Sequence, residues 1–272
     1  MAYTKQDKDK INSYYQQAVD ELLRIIHFTE TISTKIQGLQ DETKIFQTII
    51  EEFLNSKNYV CAIFLLTDDG TKLKIVGTSA SSSKLKKAEK AVGLQFKKFK
   101  IDLNKQDIYR QVTREGKTIH ATVTETMKGL FSQPLVYLIS KILGYEKDKT
   151  ILTPLYKRGK IIGTFAMSTP KLAEYFIPCV KNFARQISTN LELSDNYAER
   201  KKEEKILQKS KEQYRAIFEQ VADSVVLVDL ETGLLVEFND EAHQNLGYTR
   251  KEFQKLSIAL YCHSPNCSIF YL

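Results

Sequence analysis

The sequence predicts an α+β protein in which helices flank an antiparallel sheet. Two pairs of apolar, strand-like segments are each joined by a tight turn, at Asp68–Gly70 and at Lys157–Lys160. Segments with apolar residues at helical spacing precede, separate and follow these hairpins. Because amphipathic helices must bury one face, we expect them to cover the faces of the sheet that the hairpins build.

Two helices are predicted before the first hairpin. The first covers Ile11–Leu39 and has Gly38 where a helix terminator would stand. Its predicted apolar stripe consists of Val19, Leu22, Ile26, Thr29 and Ile36. Asp41 is expected to cap the second helix. The apolar residues of that second helix are Ile45, Phe46, Ile49, Ile50 and Phe53.

Short helices and strands are predicted between the two hairpins. The first hairpin itself comprises Tyr59–Thr67 and Leu73–Gly77. The elements expected after it are a helix at Ser81–Val92, a strand at Leu94–Leu103, a helix at Asp107–Glu115, a strand at Thr118–Val123 and a mostly helical stretch at Glu125–Tyr145.

The second hairpin, Ile151–Tyr156 with Ile161–Ser168, is almost continuously apolar. This composition is typical of strands near the centre of a sheet that is covered on both faces. A long helix is predicted over Glu174–Leu193, with Pro178 in its first turns, where a missing N–H costs least. The following stretch, Asn190–Val221, contains no glycine or proline and is predicted to be a helical connector.

Composition argues for an ordinary globular protein in the cytoplasm. Of the 272 residues, 42% are hydrophobic, yet no apolar run approaches the roughly 18 residues of a membrane span. Met1–Lys10 is polar and rich in lysine, so we expect no signal peptide. The four cysteines, Cys61, Cys179, Cys262 and Cys267, are too widely scattered for a disulfide framework.

The net charge of +7 is concentrated in Lys84–Lys105 and Arg200–Arg215. Such an excess can mark a nucleic-acid or anionic-lipid partner. In both segments, however, the basic residues alternate with acidic or apolar ones. We therefore interpret both as solvated surface and expect neither nucleic acid nor membrane as a partner.

The second hairpin also carries a family resemblance. Thr153-Pro154-Leu155, the turn at Arg158-Gly159 and Ile161-Ile162-Gly163-Thr164-Phe165 resemble the closing strand pair of GAF domains. The resemblance extends over about residues 10–195, and such domains occur in sensory histidine kinases and related signalling proteins. It implies a six-stranded antiparallel sheet with a small-molecule cavity between the sheet and the helices of the middle segment.

The C-terminal part resembles the beginning of a PAS domain. The matching segments are Tyr214–Glu219, Ala222–Asp229, Val236–Ala242 and Leu246–Phe253, and Asn239 is expected to cap a helix. The resemblance over residues 213–272 is incomplete, since a domain of this kind needs about 100 residues. We expect this truncated part to be unstable or disordered unless it is partnered.

These segments predict four parts: an N-terminal helix (1–40), a GAF-like sensor domain (41–195), a helical or coiled-coil connector (196–212) and a truncated PAS-like domain (213–272). Two heptad sets support a coiled coil. They are Ala184, Ile187, Leu191, Ser194 and Ala198, and then Leu207, Ser210, Tyr214, Ile217 and Val221. We expect a parallel homodimer through Ile11–Leu39 and Glu174–Tyr214; the alternative is a solvated spacer.

The candidate ligand-binding residues are Phe99, Tyr109, His120, Phe131 and Tyr137. Together with Phe96, the aromatic residues among them either line a cavity or form an ordinary core. His120 is either a haem or metal ligand or a packed or surface histidine. The Cys262-His263-Ser264-Pro265-Asn266-Cys267 segment offers three metal-capable side chains, fewer than structural zinc requires, so no metal site is predicted.

No catalytic constellation is recognisable, and several classes of GAF domain lack their signatures here. No cysteine lies between Cys61 and Cys179, which argues against bilin attachment and against methionine sulfoxide reduction; the cyclic-nucleotide signature and Gly-rich phosphate loops are also absent. The leading hypothesis is a sensory input module of a signal-transduction protein, which binds a small ligand or a partner in its GAF-like domain and relays this through the helical connector to a downstream kinase or regulator. The sequence identifies neither the ligand nor a cofactor. The alternatives are an interaction or dimerisation module with a filled cavity, and a redox or enzymatic domain using Cys61 or Cys179.

Overall fold

The computed structural model describes residues 5–229 and 231–256. The chain forms two compact units, of which the first ends at Ala198 and the second begins at Glu199. In the described residues no helix is long and apolar enough to cross a membrane.

The first unit contains the sheet and most of the helices. Its strands are β1 (Val60–Leu66), β2 (Lys72–Thr78), β3 (Lys100–Asp102), β4 (Ile119–Thr122), β5 (Lys149–Lys157) and β6 (Lys160–Thr169). Its helices are α1 (Lys5–Ile36), α2 (Glu42–Ser56), α3 (Ser82–Val92), α4 (Asp107–Glu115), α5 (Val123–Met127), α6 (Gln133–Leu143) and the first half of α7 (Ile177–Gln220).

The six strands form one sheet in the order β3-β2-β1-β6-β5-β4. Every neighbouring pair is antiparallel. The predicted fold class, an α+β arrangement with a six-stranded antiparallel sheet flanked by helices, is therefore confirmed. The two hairpins β1–β2 and β5–β6 meet at the centre of the sheet through β1 and β6.

Helices cover both faces of the sheet. Alternate strand residues such as Ile63, Phe165 and Met167 are fully buried against α1, α2 and α7. Their neighbours Phe64 and Ala166 point to the other face, where α4 packs. We call the first face the α7 face and the second the cavity face.

Several of the local signals predicted from sequence act as expected. The Asp41 carboxylate accepts hydrogen bonds from the backbone N–H groups of Thr43 and Lys44, and so caps α2. In the β5–β6 turn both Arg158 and Gly159 have positive φ, at 51° and 72°. A two-residue turn in which both residues have positive φ matches the right-handed twist of the flanking strands.

Two expectations about elements are corrected. The segment Leu94–Leu103 is not one strand, because Phe96–Lys98 forms a 3₁₀ turn before the short strand β3. The Phe96 N–H donates to the Glu89 carboxylate, which draws the chain toward α3.

The predicted apolar stripe of α1 is also wrong at its N-terminal end. Val19 is 48% exposed, because only the C-terminal half of α1 packs on the core. The buried stripe of that half is Ile25, Thr29, Ile32 and Ile36.

Helix α7 runs without interruption from the first unit into the second. Ala184, Ile187 and Leu191 are fully buried in the core of the α7 face. The first heptad set was therefore wrongly assigned to a coiled coil, since these positions pack within the chain itself. In the second set Leu207 and Ile217 are exposed.

The second unit contains the hairpin β7 (Val226–Val228) and β8 (Leu235–Phe238), followed by α8 (Asp240–Gln244) and α9 (Arg250–Phe253). Asn239 caps α8 as predicted, and its buried side chain also accepts from the Val225 N–H and donates to the Asp223 carbonyl. The PAS assignment stays a prediction. The tail Ile258–Leu272 lies outside the described residues.

Candidate ligand-binding site

A cavity of about 150 Å³, partly open to solvent, lies between the cavity face of the sheet and helices α3 to α6. Sheet residues that line it include Val60, Ala62, Phe64, Ile75, Leu152 and Ala166. Residues from the helices and their connections include Leu85, Val123, Met127, Leu130, Ile139 and Leu143. Aromatic rings come from Phe64, Phe96, Phe99, Tyr109, Phe131 and Tyr145.

Small side chains at the centre of the sheet create this space. Ala62 of β1 and Ala166 of β6 are register partners on the two central strands. Both line the cavity. Because cross-strand partners lie side by side, two alanines leave a depression in the sheet surface that larger partners would fill.

The lining contains no charged side chain among the described residues. Three threonines contribute hydroxyl groups, and each donates its proton to a backbone carbonyl. Thr78 bonds to Cys61 at 2.9 Å, Thr126 to Val123 at 2.7 Å and Thr150 to Met167 at 3.2 Å. Backbone carbonyls thus accept all three hydroxyl protons, and the surface that lines the cavity is predominantly apolar.

The two tyrosine hydroxyls of the lining remain protonated near neutral pH. Burial raises the pKa of Tyr109 to about 12. Burial also raises the pKa of Tyr145, and the nearby charge of Asp148 adds to the effect. Both tyrosines therefore present neutral hydroxyl groups.

Three of the five candidate residues line the cavity. Phe99 and Phe131 stack with ring centroids 5.3 Å apart, and Tyr109 is buried beside Phe64. These residues lie on separate elements, so the fold brings them together from a span of 33 positions. Their role in binding stays a prediction.

The other two candidates do not line the cavity, and this part of the expectation is corrected. His120 lies on β4 with Nε2 3.0 Å from the Leu172 carbonyl oxygen. Tyr137 is 60% exposed, with the Lys141 Nζ 5.8 Å from its ring centre. The helical period of α6 explains this, since Val136, Ile139, Ser140 and Leu143 form its buried face.

Sequence reasoning missed the lining residues that lack an aromatic ring, and Tyr145. Ala62, Met127 and Ala166 were not singled out. A signal did exist for the alanines, because each stands in a predominantly apolar strand, Ala62 before Ile63 and Ala166 between Phe165 and Met167. Recognising that the two are register partners requires the β1–β6 pairing, which joins segments about 100 residues apart.

The cysteines of the first unit do not line the cavity. Burial raises the pKa of Cys61 from 9.0 to about 12, and burial also raises that of Cys179. The thiolate is the reactive form, so neither position favours thiol chemistry. No group of metal-binding side chains occurs within residues 5–229 and 231–256. Cys262, His263 and Cys267 lie outside this part of the chain.

We predict that iodoacetamide at pH 8 leaves Cys61 of the folded protein unmodified, modifies Cys179 slowly and alkylates both in denaturant. The reason is that burial raises the pKa of Cys61 and so keeps the thiol protonated at pH 8. By linkage, Cys61 makes its full contribution to the free energy of unfolding below its unfolded pKa near 9, and this contribution is lost as the pH rises toward 12. Mass spectrometry of the alkylated peptides tests the labelling prediction. Rapid labelling of Cys61 without unfolding would contradict it.

No protein-family profile and no curated protein matches the chain. Solved structures with similar folds include GAF domains. One is the GAF domain of a phosphoenolpyruvate-protein phosphotransferase from Coxiella burnetii, with 12% identity, a TM-score of 0.47 and coverage of 65% of this chain and 98% of that one.

Two further similar structures belong to other kinds of protein. A segment of a methyl-accepting chemotaxis protein has 15% identity, a TM-score of 0.45 and coverage of 61% and 98% of the two chains. A free methionine-R-sulfoxide reductase from Neisseria meningitidis has 10% identity, a TM-score of 0.47 and coverage of 65% and 93%. At this level of similarity, the activities of those proteins do not carry over to the present chain.

Proposed function

We propose that the first unit is a sensory module that binds a small molecule in the cavity and passes the binding event to α7. The observation that carries this proposal is the cavity itself. It is an apolar space of about 150 Å³ that the described side chains leave open and that solvent can partly reach. A small apolar molecule can therefore enter it and gain free energy by burying its surface there.

The sheet offers a short route from the cavity to α7. Ala166 and Thr150 line the cavity, while their strand neighbours Met167 and Ile151 are buried in the core that includes α7. A shift of β5 or β6 on ligand binding would therefore change the packing of α7. Since α7 is one helix up to Gln220, its rotation or translation would reach the second unit.

Compounds that purify with the protein test the binding part of this proposal. Ala62→Leu places three additional carbons in the cavity, whereas Ala91→Leu adds the same three carbons to an exposed site on α3. We expect denaturing extraction and mass spectrometry to find a small molecule with the wild type and with A91L, but not with A62L. The same small-molecule content in all three extracts would contradict the proposal.

We also propose that the protein acts as a parallel homodimer in the cytoplasm and signals to a downstream kinase or regulator. Exposed apolar residues on the helices support self-association, among them Val19, Leu23, Leu193, Leu207 and Ile217. Light scattering at micromolar concentration tests this. We expect a dimer, which the double substitution Leu207→Lys and Ile217→Lys weakens, and a wild-type monomer would contradict it.

The alternative, an interaction module whose cavity is filled by its own side chains, requires a different core. The described side chains leave the space open. If no bound compound depends on Ala62 and A62L is more stable than the wild type, the space has no ligand, and the interaction role becomes the better explanation.

A further inference from the structure

We propose that the ligand of the cavity is a neutral molecule with a single aromatic ring, which directs one hydrogen-bonding group to the Tyr145 hydroxyl. This inference rests on the proposed ligand-binding function and specifies its chemical class. Three features of the cavity carry it: the absence of charge in its described lining, the number of aromatic rings and the state of its hydroxyl groups.

The uncharged lining selects a neutral ligand. Transfer of an ionised group from water into an apolar site is very costly unless an opposite charge or hydrogen-bond donors receive it. The described lining supplies no opposite charge.

The aromatic lining and the size of the cavity select an aromatic ring. Six of the lining residues are aromatic, and the Phe99–Phe131 pair is already stacked. Aromatic rings gain additional attraction from offset-stacked and edge-to-face contacts. An engineered apolar protein cavity of about 150 Å³ accommodates benzene, so the space between the sheet and the helices is large enough for one ring, and substituents can extend toward its open side.

Tyr145 is the polar group that can orient such a ligand. The three threonine hydroxyls of the lining already donate to backbone carbonyls. Tyr109 is buried, and its hydroxyl is hydrogen-bonded to the Thr126 side chain. Tyr145 lines the cavity, and its side chain is only partly buried. Its hydroxyl is not one of the buried polar atoms without a partner, so it stays accessible to solvent or to a ligand, with Asp148 and Cys61 nearby.

Three probes of matched shape test the ligand class: toluene, p-cresol and 4-methylbenzoate. After removal of any bound compound, calorimetry on the full chain is expected to show binding of toluene and about fivefold tighter binding of p-cresol, the gain of one net hydrogen bond. Binding of 4-methylbenzoate is expected to be at least about 100-fold weaker than that of p-cresol, because its charge would be buried without a partner.

Two variants locate the binding. Tyr145→Phe is expected to remove the preference for p-cresol and to leave toluene binding unchanged. Ala62→Leu is expected to abolish binding of both neutral probes, whereas A91L retains it. Because the comparison of the three probes uses only wild-type protein, it holds even if a variant fails to fold.

The outcomes separate this inference from the function on which it rests. Binding of 4-methylbenzoate as tight as that of p-cresol would overturn the neutral class but support a ligand site. Failure of all probes, with a compound released from wild type and absent from A62L, would overturn the aromatic class alone. If no probe binds, and the extracts of wild type, A62L and A91L contain the same small molecules, the proposed function is overturned as well. Retention of the p-cresol preference by Y145F would overturn the role of Tyr145.

Discussion

Replacement of Gly163 by alanine is expected to destabilise the first unit by about 3 kcal/mol or more. A Cβ atom at this position of β6 would lie 2.0 Å from the Phe64 carbonyl oxygen and 2.9 Å from the Leu65 Cα. These are backbone atoms of the paired strand β1, so the clash is relieved only if the two central strands separate. The glycine of the Ile161–Phe165 motif is therefore required for close strand approach rather than for a turn.

Gly159→Ala provides the matched control for this prediction. Gly159 has a φ of 72° in the β5–β6 turn and no neighbouring atom within 4 Å of an added Cβ. It should cost about 1 kcal/mol, from backbone conformation alone. Urea unfolding followed by circular dichroism compares the two variants, since the chain has no tryptophan for fluorescence. If G163A were no less stable than G159A, the close β1–β6 approach would be wrong.

Phe165→Ala is expected to reduce the free energy of unfolding by about 3–5 kcal/mol, as do other truncations of large core aromatics. Phe165 is fully buried on the α7 face. Its ring contacts Phe53 of α2 and Phe183 of α7, with centroid distances of 5.9 and 5.3 Å. Its loss therefore removes a ring that contacts both helices from the central strand β6.

Phe131→Ala serves as the comparison on the cavity face. Phe131 is partly exposed and borders space that is already open, so its truncation should cost clearly less stability. It should, however, change binding of the neutral probes, because it removes one ring of the Phe99–Phe131 pair. If F165A and F131A lost the same free energy of unfolding in urea, Phe131 would contribute as much to stability as Phe165, and the expected difference between the two faces would be wrong.

The local elements could be predicted because their signals lie within a few residues of each other. Asp41 and the N–H groups that it caps are neighbours in sequence, and the Arg158-Gly159 turn directly joins its two strands. The helical period alone identified the buried positions of α2. Such features need no knowledge of the remaining chain.

The cavity could be predicted only in outline, through the GAF resemblance, because its walls come from distant segments. Whether Tyr137 faces inward depends on which side of α6 meets the sheet. The size of the space depends on the pairing of Ala62 with Ala166. The same limitation explains the heptad error in α7: a stripe that packs on its own sheet has the same spacing as one that packs on a partner.

The central claim is that a ligand in the cavity changes the packing of the α7 face, and two methionines provide a direct test. Met127 lines the cavity, and Met167 is fully buried on the α7 face. In a spectrum of the protein labelled with ¹³C at the methionine methyl groups, titration with p-cresol should shift the Met127 signal to saturation. The Met167 signal should move with the same midpoint. A Met127 signal that does not move would contradict p-cresol binding in the cavity, and a Met127 shift without any response of Met167 would contradict transmission across the sheet.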